Sequence, residues 1–285
     1  MSDWLVAIIL GIIEGITEFL PISSTGHLLV AEQWLPRQTD LFNVLIQSGA
    51  VLAVIPLFRA RFHQFIFRWR EPQTQDYLKK IICAFVITGI GGLVLDKMHF
   101  KLPEKALPVA LALLVGGILF LLAERWLKGR PARNEIAWSV AIAVGLAQLV
   151  AAIFPGTSRS GATILIALLL GLNRPLATEF SFLVGIPTML AAGGLKIFKA
   201  FHHAGEVTEN WSVLILATIV AAIVSFIAVK WLLRFVQSHT FVGFGWYRIA
   251  FCTLILILDN RIALQGILDA LINLFQNWIL HPSVS

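Results

Sequence analysis

The amino-acid sequence predicts an all-α integral membrane protein with six transmembrane helices and two re-entrant helix pairs in an inverted-topology repeat. The chain of 285 residues is 58% hydrophobic and 13% charged, with a mean hydropathy of +0.84, which is far from the balance of a soluble domain. Six apolar stretches are long enough to cross roughly 30 Å of hydrocarbon. Two further apolar regions are each interrupted by a similar polar turn.

The six predicted spans are separated by short polar connections. They cover residues 42–58, 81–95, 106–123, 180–197, 213–229 and 241–258. No polar stretch is long enough to form a separate aqueous domain, so residues 1–285 are expected to form a single polytopic membrane domain. Cys83 and Cys252 both lie in apolar runs without a CxxC pattern, which excludes disulfide and zinc frameworks and indicates packing residues.

The two interrupted regions stop at a polar turn and then resume. Residues 4–35 stop at Pro-Ile-Ser-Ser-Thr-Gly-His over 21–27, and residues 136–172 stop at Pro-Gly-Thr-Ser-Arg-Ser-Gly over 155–161. A polar turn cannot face lipid at membrane depth. Each region is therefore expected to form a re-entrant helix pair whose turn is buried in protein or lines an aqueous cavity.

The two regions also match each other, which predicts an internal duplication. A shift of 134 residues pairs Gly11 with Gly145, Glu14 with Gln148, Pro21 with Pro155, Ser24 with Ser158 and Thr25 with Arg159. Repeat one then covers about 1–130 and repeat two about 131–261, each with one re-entrant pair and three spans. An odd number of crossings inverts the second repeat, so the two polar turns should meet near the midplane.

The distribution of charge predicts the orientation and the partners. Under this topology the connections around 59–80, 125–133 and 230–234 share one side and hold most of the Lys and Arg residues. By the positive-inside rule the opposite side, with both termini, is external. The net charge of +6 favours membrane lipids over nucleic acid as partners. Residues 262–280 are predicted to form an interfacial tail helix, and the sequence leaves open whether the chain is a homo-oligomer.

Two carboxylates stand out in the first interrupted region. Glu14 and Glu18 are four residues apart, so on a helix they point the same way. A carboxylate at membrane depth costs at least about 2.5 kcal/mol on insertion scales and is functional by default. A divalent cation, Mg²⁺ or Ca²⁺, or Arg159 from the other repeat would neutralise the pair. The alternative is that one Glu is protonated and hydrogen-bonded inside the bundle.

The polar turns supply groups that suit phosphate chemistry. In the first turn, Ser24 and His27 could form an activated nucleophile, although Ser and Thr here also suit a helix cap. In the second, Arg159 with the hydroxyls of Ser158 and Ser160 suits an anion site, with a salt bridge to a Glu as the alternative. Thr163 lies one turn further and could add a hydroxyl or bond its own backbone.

These motifs resemble those of a known family. Glu-Gly-Ile-Thr-Glu-Phe-Leu-Pro over 14–21, Ser-Ser-Thr-Gly-His over 23–27 and Pro-Gly-Thr-Ser-Arg-Ser-Gly-Ala-Thr over 155–163 closely resemble the bacterial undecaprenyl-diphosphate phosphatases, also called bacitracin-resistance proteins. The resemblance covers nearly the whole chain.

The resemblance implies a function and a location. It implies hydrolysis of undecaprenyl diphosphate to the monophosphate with a divalent metal ion, which recycles the lipid carrier of peptidoglycan synthesis at the bacterial inner membrane, and a cavity that opens to the external, periplasmic face. Carried over by motif, the metal ligands are Glu14 and Glu18, the catalytic residues Ser24, His27 and Glu18, and the phosphate-binding residues Ser158, Arg159, Ser160 and Thr163.

Two mechanistic questions stay open at the level of sequence. The attacking group is either Ser24, assisted by His27, or a water activated by metal or Glu. A different class of protein is also compatible with the pattern, because secondary transporters use inverted repeats with broken helices at the midplane. A carrier that flips prenyl phosphates would need the Arg and hydroxyls but no activated nucleophile.

Overall fold

The computed structural model describes residues 1–98, 105–203 and 210–260. This part of the chain is helical and contains no β-strand. Its helices are α1 Asp3–Thr17, α2 Ser24–Ala31, α3 Asp40–Val54, α4 Arg59–Phe67, α5 Pro72–Lys97, α6 Ala106–Leu127, α7 Trp138–Ile153, α8 Arg159–Leu169, α9 Arg174–His203, α10 Trp211–Phe235 and α11 Val242–Asn260, with a 3₁₀ turn at Ile55–Phe58. The tail helix predicted over 262–280 lies outside the described residues.

Six helical segments are long and apolar enough to cross a membrane, and they coincide with the six predicted spans. They are Asp40–Phe67, Pro72–Lys97, Ala106–Leu127, Arg174–Lys199, Trp211–Phe235 and Val242–Asn260. The first joins α3 and α4 through the 3₁₀ turn. Large apolar side chains such as Ile90, Leu122 and Ile227 are more than half exposed, which a soluble protein would bury. The protein is therefore a multi-pass membrane protein.

Four helices are too short to span. Helices α1, α2, α7 and α8 have 15, 8, 16 and 11 residues, or about 12–24 Å at 1.5 Å per residue. The polar turn after α1 leads into α2, and the polar turn after α7 leads into α8. The interrupted regions thus form two pairs of short apolar helices, each with its polar turn between them.

Each turn ends at a serine with an unusual backbone. Ser23 has φ 72° and Ser158 has φ 66°, and no other non-glycine residue in the described ranges has a positive φ. Each serine caps the following helix, since Ser23 Oγ accepts from the Gly26 amide and Ser158 Oγ from the Gly161 amide. A left-handed non-glycine residue costs on the order of 1–3 kcal/mol and persists only when its surroundings impose it.

These caps correct one detail of the predicted duplication. Ser23, rather than Ser24, occupies the position of Ser158, so a shift of 134 residues applies before the turns and a shift of 135 after them. The second turn has one more residue between its proline and its cap, and Gly156 there has φ 92°. Consequently Ser24 and Arg159 are structurally equivalent, each the first residue of its helix.

The helices pack in two corresponding sets. Helix α1 lies against α10 and α7 against α5, while α3 contacts α10 and α9 contacts α5. Glycines allow α1 to approach α10 closely and α7 to approach α5 closely. A Cβ on Gly11 would lie 2.7 Å from the Ala217 carbonyl oxygen, and one on Gly145 would lie 2.9 Å from that of Ala84. Close backbone approach at small residues is a general means of packing helices in membranes.

Ion pairs join helix ends that the predicted topology places on the same side. Arg61 Nε lies 2.8 Å from Glu179 Oε1, which links α4 to α9. Glu124, buried at the end of α6, binds the Arg174 guanidinium and accepts from the Phe241 amide at 2.8 Å. At the other ends of α5 and α9, Lys199 lies 2.8 Å from Asp96. The start of α9 therefore lies beside α4 and the end of α6, and the other end of α9 lies beside the end of α5.

The close contact at Gly11 gives a test of the packing. Gly11→Ala places a methyl group against the α10 backbone, and overpacking of this kind costs about 1–3 kcal/mol. We expect a lower thermal unfolding midpoint in detergent. Gly92→Ala is the matched control, because a Cβ there meets nothing within 4 Å, and a helical alanine is more favourable than glycine. Equal midpoints for the two variants would contradict the packing described here.

Candidate active site

The carboxylate of Glu18 is the point where both polar turns meet. Its Oε2 accepts hydrogen bonds from Ser24 Oγ at 2.8 Å and from Gln47 Nε2 at 3.2 Å. Its Oε1 lies 3.5 Å from Arg159 Nη2. Groups from α2, α3 and α8 thus converge on one buried side chain at the end of α1. Gln47 of α3 lies in the site through this bond to Glu18.

Glu14 lies one helical turn before Glu18. Its side chain is 2% exposed, and Oε2 has no hydrogen-bond partner among the described residues. A buried carboxylate oxygen without a partner is costly, because it has lost its hydration without replacement. The geometry therefore brings together the two predicted metal ligands and leaves one of their oxygens available.

The guanidinium of Arg159 has hydrogen-bond donors without partners. It has one weak bond to Glu18, while Nε and Nη1 are buried and without partners. The guanidinium carbon also lies 5.7 Å from the centre of the Phe19 ring. Gly185 on α9 leaves the space that the guanidinium occupies, since a Cβ there would collide with Nη1. Two free N–H donors beside a hydroxyl and a carboxylate are what an oxyanion ligand would satisfy.

The remaining three predicted phosphate-binding hydroxyls are engaged within the protein. Ser160 is fully buried and donates to the Leu20 carbonyl at 3.0 Å, which ties the second turn to the first. Ser158 caps α8 and lies 3.1 Å from Ser160 Oγ. Thr163 donates to the Arg159 carbonyl at 2.9 Å, which is the backbone-bonded alternative. In this geometry these residues shape the turn, and Arg159 alone of the four has unused donors.

His27 lies in the same turn as Ser24 but is bound to other groups. Its Nδ1 is 2.7 Å from the Ser23 carbonyl oxygen and its Nε2 is 2.6 Å from the Tyr247 hydroxyl. The ring also stacks on Phe251, with centroids 4.0 Å apart. The predicted contact between Ser24 and His27 is replaced by the bond from Ser24 to Glu18. The imidazole is instead held by α11.

Sequence reasoning missed the contribution of α11. Tyr247 and Phe251 hold His27, and Arg248 lies fully buried behind the turns. One available signal was overlooked: an arginine inside the predicted span 241–258 is expensive in a membrane and therefore marks a functional position. The two aromatic residues carried no comparable signal, since aromatic side chains are frequent in apolar helices.

A divalent cation fits the two carboxylates. Within the described ranges no group of three or more His, Cys, Asp or Glu side chains is arranged to hold a metal. Glu14 and Glu18 nevertheless offer hard oxygen ligands, one of them unpartnered, which suit Mg²⁺ or Ca²⁺. Magnesium in particular is usually bound through one or two carboxylates, with water and phosphate oxygens as the other ligands.

Comparisons with known proteins identify the family. A family model described as bacitracin resistance protein BacA matches residues 7–254. A protein from Rhizobium etli (strain ATCC 51251 / DSM 11541 / JCM 21823 / NBRC 15573 / CFN 42), named undecaprenyl-diphosphatase, is 54% identical over 255 residues, 89% of this chain and 96% of its own. One of the same name from Xanthomonas euvesicatoria pv. vesicatoria is 50% identical over 249 residues, 87% of this chain and 94% of its own. The chain therefore belongs to the bacitracin resistance protein BacA family.

Proposed function

We infer that this protein is an undecaprenyl-diphosphatase, which hydrolyses undecaprenyl diphosphate to undecaprenyl phosphate and inorganic phosphate. Relatives of that name align with nearly the whole chain. The single observation in the site that carries the inference is Arg159, whose two buried free donors adjoin the Ser24 to Glu18 hydrogen bond. The reaction recycles the lipid carrier of peptidoglycan synthesis, and in this family it confers resistance to bacitracin.

The diphosphate head is held by the second turn. Arg159 grips two oxygens of the terminal phosphate with its Nη1 and Nη2 groups, a two-point geometry that guanidinium groups favour, and Nη1 has no partner within the described residues. The amides at the start of α8 add partial positive charge. Ser158, Ser160 and Thr163 keep the turn in shape, as their internal hydrogen bonds indicate. The prenyl chain lies among the apolar helices.

Ser24 is the proposed nucleophile, with Glu18 accepting its proton. The hydroxyl already donates to Glu18 Oε2 at 2.8 Å, as an activated nucleophile requires. Attack on the terminal phosphorus forms a bond to Ser24 Oγ and breaks the bond to the bridging oxygen, which leaves with undecaprenyl phosphate. Water then hydrolyses the phosphoserine, which returns the serine and releases inorganic phosphate. His27, whose two ring nitrogens bind the Ser23 carbonyl and the Tyr247 hydroxyl, holds the start of α2 and so positions Ser24.

The divalent cation is part of the proposal. Glu14 and Glu18 would hold Mg²⁺ or Ca²⁺, and the ion would offset the charge that develops on the phosphate oxygens. With both carboxylates ionised and no cation bound, the two carboxylates and one arginine would leave a net negative charge in a buried site, where a diphosphate would be repelled. The unpartnered Glu14 oxygen supports this assignment.

The topology is proposed to be an inverted repeat with two re-entrant pairs. The corresponding packing of α1 on α10 and α7 on α5 supports a duplication, and the short pairs of helices support turns at membrane depth. The proposed location is the bacterial inner membrane, where the lipid carrier is recycled, and the positive-inside rule supports an orientation with both termini external. The site then opens to the periplasmic face, where the spent diphosphate carrier is released.

Phosphate release by the purified protein tests the proposed activity. We expect inorganic phosphate from a polyprenyl diphosphate, and its loss after exhaustive chelation, because two buried carboxylates need a positive partner. Added Mg²⁺ or Ca²⁺ should restore the activity. The double variant Glu14→Gln with Glu18→Gln should not respond to metal. A carrier that only flips the lipid would leave the diphosphate intact, and activity that survives chelation would remove the metal from the mechanism.

Arg159→Lys separates a phosphate ligand from a simple counter-ion. The charge is kept while the two-point geometry is lost, so we expect turnover to fall by about 10–100-fold, the equivalent of one or two charge-assisted hydrogen bonds. Thermal stability should stay close to that of the unaltered protein. Arg174→Lys is the control, because Arg174 binds Glu124 away from the site. Near-normal turnover in Arg159→Lys, with stability lost only in Arg159→Ala, would exclude Arg159 as a phosphate ligand.

Labelling of single cysteines tests the orientation. In a chain with Cys83→Ser and Cys252→Ala, cysteine is introduced at Ser2, Lys105 or Gln73, which are all exposed. An impermeant maleimide should label the first two positions in intact cells and Gln73 only after permeabilisation, as the count of basic residues predicts. The reverse pattern would invert the topology and place the site opening on the cytoplasmic side.

A further inference from the structure

Arg248 is a buried cation that the proposed reaction does not use. It lies in the middle of α11, its side chain is 0% exposed, and within the described residues no carboxylate is at ion-pair distance. An arginine at membrane depth normally pairs with an acidic group or with backbone carbonyls. Arg248 has only the second kind of partner. The position of those carbonyls explains what the residue does.

The guanidinium joins three separate parts of the fold. Nη1 donates to the Pro21 carbonyl of the first turn at 3.2 Å. Nη2 donates to the carbonyls of Thr157 at 2.9 Å and Gly156 at 3.3 Å in the second turn. Two carbonyls of α6 complete the set, since Nη2 lies 3.3 Å from the Ala112 oxygen and Nε 3.4 Å from the Leu113 oxygen.

Small residues make room for this arrangement. A Cβ on Gly161, in the first turn of α8, would lie 2.9 Å from Arg248 Nη1. A Cβ on Gly117 of α6 would lie 3.2 Å from Arg248 Cβ. A lysine could not replace the planar fork, because an ammonium group has three donors at one point and cannot reach carbonyls on both turns and on α6 together.

The carbonyls that Arg248 binds are adjacent to the proposed catalytic groups. Pro21 comes three residues before Ser24 in the first turn. Gly156 and Thr157 come directly before Ser158 and Arg159 in the second. Among the described residues, two other side-chain hydrogen bonds join these segments: Ser160 donates to the Leu20 carbonyl at 3.0 Å, and Arg159 makes the long contact of 3.5 Å with Glu18. Arg248 alone binds backbone carbonyls of both turns, so the relative position of Ser24 and Arg159 depends in large part on this guanidinium.

We propose that Arg248 is a positioning residue that locks the two polar turns together, so that Arg159 and the Ser24 to Glu18 pair face the same phosphate. The residue does not touch substrate and acts through Arg159. Stability alone does not account for it, since a well-packed apolar side chain is generally at least as stabilising as a buried charge. The proposal rests on the proposed function, and its tests include one that needs no substrate.

The first test is a double-mutant cycle on phosphate release. Arg248→Lys should lower kcat/KM by at least about tenfold in the chain with Arg159, and by less than about threefold when Arg159→Lys is already present, because coupled residues are not additive. Arg174→Lys, combined with Arg159→Lys in the same way, is the control and should give additive losses. Equal losses from Arg248→Lys in both backgrounds would overturn the proposal.

The second test measures the turns directly. Spin labels are attached at Thr25→Cys and Phe154→Cys, which are exposed positions on the two turns, in the chain with Cys83→Ser and Cys252→Ala. Electron paramagnetic resonance should give one narrow distribution of distances between the two labels in the chain that keeps Arg248, whether or not it carries Arg159→Lys. The distribution should broaden in Arg248→Lys and in Arg248→Met. If Arg248→Met does not fold, the Arg248→Lys distribution alone tests the positioning role. An unchanged distribution in the folded Arg248 variant would refute the positioning role.

The two tests fail independently. If the unaltered protein released no phosphate from a polyprenyl diphosphate, the proposed function would be wrong. The distance measurement would still decide whether Arg248 holds the turns together.

Discussion

The charges of Glu18 and Arg159 come from opposite halves of the chain and meet in an apolar bundle. Their distance of 3.5 Å is long for an ion pair, and neither group is saturated by the other. Bringing such groups out of water costs several kcal/mol for each ion, and only good geometry and additional hydrogen bonds compensate for it. Because the pair compensates only part of the cost of burying its charges, each group needs further partners. The Glu18 carboxylate accepts hydrogen bonds from Ser24 and Gln47, and two donors of the Arg159 guanidinium stay without a partner in the protein.

The scaffold around this pair is arranged to hold two turns against each other. Strained serine caps, a hydrogen bond from Ser160 to the opposite turn and the buried Arg248 all act at the same place. Gly11 of α1 and Gly145 of α7 let these short helices pack closely against the long helices α10 and α5, which supports the two turns. Preorganisation of this kind is what phosphoryl transfer demands of a protein, because most of the catalysis lies in positioning and electrostatics.

The sequence predicted the long helices well, because an apolar run of sufficient length has few alternatives in a membrane. It also singled out Glu14, Glu18 and Arg159, since charged residues beside apolar runs are conspicuous, and the structure places Arg159 beside Glu18. The hydrogen-bond partners were harder. Which group Ser24 faces depends on backbone angles in the turn, and Ser23 adopts a conformation that no spacing rule predicts. The offset of one residue between the turns was hidden because a single shift of 134 residues already pairs the two prolines and Ser24 with Ser158, and the extra residue that pairs Gly26 with Gly161 appears only when a gap is allowed. Arg248 was overlooked because a single charge barely changes the hydropathy of α11.

The two halves of the chain differ where their equivalence is closest. Opposite Glu14 the second half has Gln148, a neutral amide bonded to Thr88 at 2.9 Å. The first position of the helix after each turn is Ser24 in one half and Arg159 in the other, and both reach the same carboxylate. A molecule with identical halves would offer two hydroxyls or two cations at these positions, and so could not combine the proposed nucleophile with the proposed phosphate ligand. The difference at this one pair of positions is therefore what allows both proposed roles in a single site.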